Sequence, residues 1–150
     1  MNQAVLKKES RFYAYLLISL ALAIPVMLWP LPLFIGMTSV VDATIEKSWL
    51  IAVSALLVAA TVADSIIAGA SSLQQMLLHT TWVIITVAVI SVALRESGGA
   101  YLLGMMFFLH SLRSAAGLWN HSSGWWLWPA WLRDAGVALA IFLWLALWPR

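Results

Sequence analysis

The sequence predicts an all-α integral membrane protein, a bundle of about five transmembrane helices. Three observations predict it. Of 150 residues, 63% are hydrophobic and only 9% charged, far from the roughly half-apolar, one-quarter-charged make-up of soluble domains. The apolar residues are gathered into runs of about twenty, the length at which a helix crosses a hydrocarbon core of roughly 30 Å. Short segments rich in Gly, Pro, Ser or charge separate those runs. The whole chain, 1–150, is expected to form one helical domain, and the alternative arrangement is four spans plus a helix lying in the interface.

The first span is expected over residues 12–29, behind a polar head that carries Lys7, Lys8 and Arg11. Pro25 should bend it, and Trp29-Pro30-Leu31-Pro32 cannot continue a regular hydrogen-bond ladder. The outline resembles a secretion signal, but the small-residue pattern Val41-Asp42-Ala43 is too far from the apolar core, so a retained helix is expected. Residues 33–41 remain apolar but irregular, which suits the membrane surface.

A polar loop over 42–47 precedes the second span, 48–69, which carries Asp64 near its end. An uncharged turn over 70–75 leads to the third, 76–94, rich in β-branched residues that lipid tolerates in helices. Arg95-Glu96-Ser97-Gly98-Gly99 is the next loop, with glycines as the stop signal. The fourth span, 100–119, ends at the small and polar residues 120–124. Pro129 suits the first turn of the fifth, 129–148, because its missing N–H would be unpaired there in any case. Trp125, Trp126, Trp128 and Trp131 then form an aromatic belt at one membrane face.

Five spans with short loops put Lys7, Lys8, Arg11, Arg113 and Arg133 on one side and Lys47, Arg95 and Arg150 on the other. The excess of cations at the N-terminal side places that end in the cytoplasm of a bacterial-type inner membrane. No basic patch suits nucleic acid. The absence of cysteine removes disulfides, thiolate metal sites and Cys nucleophiles.

Four ionisable groups fall inside the spans in the cytoplasmic half: Asp64, His79, His110 and Arg113. Such groups are costly in a bilayer and mark sites more often than accidents. His110, Arg113 or Ser114, Gly117 and His121 recur at three- and four-residue spacing, which puts them on one helix face. The expected arrangement is a hydrated pocket in which Asp64 pairs with Arg113 or a histidine. The plainer account is that Arg113 snorkels and the others bond to neighbouring helices.

Bis-histidine haem needs two imidazoles at equal depth, and His79 and His110 differ by roughly 9 Å along the normal at helical rise. No cofactor and no metal are therefore expected. Paired carboxylates, HExxH and GxSxG are all missing from the sequence, so enzyme activity is not expected either. Small residues on the second span (Ala55, Ala59, Ala60, Ala63, Ala68, Gly69) favour close helix contact.

With so little mass outside the bilayer, the partners expected are lipid and other membrane subunits, or further copies of the chain. The leading expectation is an accessory or scaffold subunit of a transport, secretion or envelope complex. A homo-oligomeric transporter or channel, with Asp64, His110 and Arg113 handling a solute or proton, is the alternative. A toxin-immunity membrane protein is a third.

Overall fold

The computed structural model describes residues 3–31, 43–120 and 124–147. Five helices account for nearly all of them: α1 (Gln3–Leu28), α2 (Ala43–Ala68), α3 (Leu73–Ala93), α4 (Gly99–Trp119) and α5 (Leu127–Leu147). There is no strand among the described residues. The segment 33–41, His121, Pro149 and Arg150 lie outside them.

Two helices begin earlier than their hydropathy suggests. The polar head is helical from Gln3 rather than from residue 12, and the charged stretch before the second span is helical from Ala43 rather than a loop over 42–47. The physical reason is the same for both. Lys, Glu, Gln and Ala are strong helix formers whatever their polarity, so the helix runs on past the point where the apolar run begins.

The start of α3 is set by a cap. Ser72 accepts from the Gln75 backbone N–H at 3.2 Å, and the Gln75 side chain accepts from Ser71 N and Oγ at 2.9 and 2.8 Å. This is a close variant of the capping box, and it moves the start from residue 76 to Leu73. Upstream, α2 stops at Gly69, whose φ of 64° is the left-handed conformation that costs glycine least. Pro129 sits in the first turn of α5, as expected.

Cross-helix contacts fix the directions. Val26 meets Trp49 while Tyr15 meets Asp64, so α1 and α2 are antiparallel. Tyr15 meets Arg133 while Met27 meets Trp144, so α1 and α5 are parallel. Each helix packs on its successor, α1 also packs on α5, and α2 reaches α4 across the middle. The result is a ring of five helices that alternate in chain order, with α5 and α1 parallel where it closes.

One half of the bundle is an apolar core of Trp49, Val53, Leu57, Leu103, Phe107 and Ile141, all buried. Here α1 ends, and its last carbonyls have no intrahelical donors; Pro30 in particular has no N–H to give Val26. Two indoles supply what is missing. Trp49 Nε1 donates to the Val26 carbonyl at 3.0 Å and Trp144 Nε1 to that of Met27 at 2.6 Å. The α3–α4 turn is equally tight, since a Cβ at Gly99 would stand 1.8 Å from the Ala93 carbonyl oxygen.

The outer surface is the reverse of a soluble protein's. Leu17, Ile66, Leu78, Ile84 and Leu139 are all more than half exposed, far from the usual rule for large aliphatic side chains. Four helices, α1, α2, α3 and α5, are long and apolar enough to cross a membrane. The less apolar α4 carries His110 and Arg113 and contacts α2, α3 and α5.

Candidate functional site

The half of the bundle nearer the start of α1 holds its polar chemistry. Arg133 lies six residues into α5, nearly two turns from its start, and is 3% exposed. A cation so deeply buried must have partners. Its Nε donates to Asp134 Oδ1 at 2.7 Å and its Nη2 to Asp134 Oδ2 at 3.1 Å. Nη2 also donates to Asp64 Oδ2 at 2.8 Å, while Nη1 donates to Asp64 Oδ1 at 3.4 Å and to the Tyr15 hydroxyl at 2.9 Å. Those are five bonds, matching the five N–H groups of a guanidinium.

Tyr15 closes the network by donating its own proton to Asp64 Oδ1. Its ring stacks edge-on against Trp125, with centroids 6.0 Å apart. Asp64 is 3% exposed and Asp134 0%, so two carboxylates share one guanidinium away from solvent. A narrow cleft of about 150 Å³ between α1 and α2, lined by Ser19, Leu22, Ala59 and Ala63, reaches Tyr15 and Arg133 from the side.

A second group adjoins the first. His110 on α4 is 2% exposed, and its Nε2 receives the Trp82 indole N–H at 3.0 Å. Thr61 Oγ1 stands 3.3 Å and Thr86 Oγ1 3.4 Å from the same nitrogen. Both threonines spend their hydroxyl protons elsewhere, on the carbonyls of Leu57 at 2.7 Å and Trp82 at 2.9 Å. This back-bonding is how a helix keeps a hydroxyl in apolar surroundings. Arg113 is half-buried, with its guanidinium carbon 5.5 Å from the centroid of the Trp82 ring, at cation–π distance.

Of the residues singled out from the sequence, Asp64 and His110 are brought into this layer. Arg113 stands beside it on Trp82. The ion partner of Asp64 is Arg133, not Arg113 or a histidine, and that expectation is corrected. His79 lies apart, in an outer groove between α2 and α3 with Val62, Ile66, Gly69 and Met76. Trp128 and Trp131 pack edge-to-face at 5.6 Å, whereas Trp125 covers Tyr15 as well as sitting near the bundle end.

Arg133, Asp134 and Tyr15 join the site without being singled out by the sequence. With Pro129 as the first helical residue and the tryptophans at the interface, the sequence places Arg133 among the loop cations, whereas the helix starts at Leu127. A charged Arg-Asp pair followed by an unbroken apolar run was the available signal. Tyr15 gave none beyond its polar tip.

Donor atoms of Asp64, His110 and Asp134 lie within 4.8 Å of one another, a spacing that invites a metal reading. The donors do not suit one. The two carboxylates already hold the Arg133 guanidinium, and the Nε2 of His110 faces an indole N–H. Among known proteins, no family model, no curated protein and no solved structure significantly matches the chain.

Proposed function

We propose that this chain is a small, non-enzymatic, multi-pass protein of an inner (plasma) membrane that works as a homo-oligomeric transporter or channel. The layer of Tyr15, Asp64, His110, Arg133 and Asp134 is the site where a small polar solute or its coupling cation is handled. The observation that carries this reading is the burial of three formal charges side by side in a bundle whose outer surface is apolar.

Stability is a weak reason to keep such charges. Taking an ion out of water costs several kcal/mol even after relaxation, and replacing a buried ionic group by apolar residues of similar volume is often neutral or stabilising. Ionisable groups at membrane depth mark solute and ion pathways instead. A homo-oligomer is proposed because five helices give a single chain little room for a gated path.

The N-terminus is assigned to the cytoplasm from Lys7, Lys8 and Arg11 alone. Arg133 is buried in α5 and no longer counts as a loop cation.

Proteoliposomes carrying the purified chain and a trapped pH- or cation-sensitive dye test the reading. Flux driven by an imposed potential, and lost in Asp64→Asn while the helical spectrum and oligomer size persist, is the expected result. No flux, together with a stoichiometric foreign chain after purification in mild detergent, overturns it in favour of the accessory-subunit reading. One feature favours that second reading: all five N–H groups of Arg133 are satisfied within the chain, as in a clamp whose work is to hold α1, α2 and α5 in register.

A further inference from the structure

The cleft between α1 and α2 is a gap where close contact is the expectation. On the α2 side it is lined by Ala59, Ala60 and Ala63, small residues of the kind that let helix backbones approach. A cavity of about 150 Å³ nevertheless remains against α1. Its mouth lies on the apolar outer surface, beside Ile18 and Leu22, which are both more than half exposed. Its walls turn polar where they are buried, at Ser19 and Arg133, each 3% exposed.

Ser19 carries the unexplained group of that wall. Its hydroxyl makes no hydrogen bond among the described residues. Five other helix hydroxyls, those of Thr61, Ser65, Thr86, Ser91 and Ser111, donate to a carbonyl about one turn back in their own helices, the usual way to satisfy such a group in apolar surroundings. Ser19 does not, and so it keeps one O–H to donate and two lone pairs to offer, at the side of an open cavity. A hydroxyl held away from water costs free energy until a partner meets it.

Charge is not what the cleft offers. Arg133 has spent all five N–H groups on Asp64, Asp134 and Tyr15. Around the buried layer, the carboxylates of Asp64 and Asp134 stand against the guanidiniums of Arg133 and Arg113, which leaves no net charge to attract an ion. Volume sets the other limit, since an apolar cavity of this size holds a benzene-sized molecule.

We propose that the cleft binds a neutral, membrane-dissolved molecule with a body of about six carbons and one hydroxyl or carbonyl oxygen, which enters sideways from the bilayer and pairs with Ser19. Its body lies over Ala59, Ala60 and Ala63, where burial of apolar surface holds it. Its oxygen exchanges a hydrogen bond with the Ser19 hydroxyl. A molecule so placed sits between α1 and α2 beside Tyr15, whose hydroxyl ties α1 to Asp64 of α2, and therefore bears on the contact between those helices. Binding there needs the chain in a membrane but needs no transport.

The test is photolabelling of the full chain in lipid nanodiscs with a six-carbon alcohol that carries a diazirine, followed by peptide mapping of the adducts. Adducts are expected within residues 18–22 and 56–63. Cyclohexanol should displace the probe at about one fifth of the membrane concentration that cyclohexane needs, the worth of one net hydrogen bond. In Ser19→Ala that difference should vanish while cyclohexane competes as before. Ala59→Leu, at the exposed rim, should remove labelling from both segments with the helical spectrum unchanged.

Adducts spread evenly over the lipid-facing helices, or cyclohexane competing as well as cyclohexanol in the parent chain, would mean that acyl chains fill the cleft as they coat the rest of the surface. Either result overturns the proposal, as does a difference that survives in Ser19→Ala. Flux in proteoliposomes beside such a result would leave the transport reading standing. Adducts confined to the cleft without flux would do the reverse.

Discussion

Arg133 and Asp64, 69 positions apart in the chain, meet at 2.8 Å with both side chains buried. Asp134, the next residue after Arg133, takes the other edge of the same guanidinium. Arg133 therefore joins α2 to α5, and through Tyr15 to α1.

Removing one member of this group should cost far more than removing all of it. Arg133→Met alone leaves two buried carboxylates facing each other and is expected to lower stability by about 3–5 kcal/mol. The triple change Asp64→Leu, Arg133→Met, Asp134→Leu should recover most of that loss. Thermal unfolding in a single detergent, following the helical signal, checks both. A triple variant as unstable as the single one would mean that the network holds the fold together.

Activity should separate from stability at the same residues. The triple variant, though folded, is expected to lose flux entirely, whereas His79→Ala should keep it. His79 opens to an outer groove and touches none of the buried network among the described residues. Flux per reconstituted protein is the measurement, and a dead His79→Ala would place the working site in that groove.

At the other end of the bundle, Trp49→Phe and Trp144→Phe should each cost about 1–3 kcal/mol. Each leaves a carbonyl at the end of α1 without its donor, and an orphaned buried acceptor carries that desolvation penalty. Denaturant titration of the two variants against the parent chain checks the figure. No loss in either would mean that other donors near the end of α1 satisfy those carbonyls.

The two glycines of the α3–α4 turn should behave oppositely. A Cβ at Gly99 would overlap the Ala93 carbonyl, while one at Gly98 meets nothing within 4 Å. Gly99→Ala is expected to destabilise by about 1–3 kcal/mol, the cost of overpacking against backbone. Gly98→Ala should stay within about 0.5 kcal/mol. Melting temperatures measured side by side decide it.

Much of the helical layout was legible along the chain, because hydropathy and helix length are local properties. The core of each helix and the order of the loops follow from runs of apolar residues and from Gly69, Pro129 and Gly98-Gly99. Helix starts were less legible: at Gln3 and Ala43 the chain is polar yet strongly helix-forming, and hydropathy reports only the second boundary it meets, where polar gives way to apolar.

The candidate site divides along the same line. Asp64 and His110 stand out in the sequence because each is an isolated ionisable group within a long apolar run, and desolvation makes any such group conspicuous. Arg133 and Asp134, close behind a cluster of tryptophans, look like part of the chain's exit from the bilayer until α5 is seen to start at Leu127.

By itself, then, the sequence determined a helical chain with an apolar exterior and ionisable groups it could not leave unpaired. Only the tertiary structure decided the pairing. Which cation meets Asp64 depends on the relative rotation and register of α2 and α5, and those are set by the packing of all five helices at once. The same holds for His110, whose partners come from α2 and α3. No local pattern encodes that one imidazole will meet an indole N–H and two threonine hydroxyls.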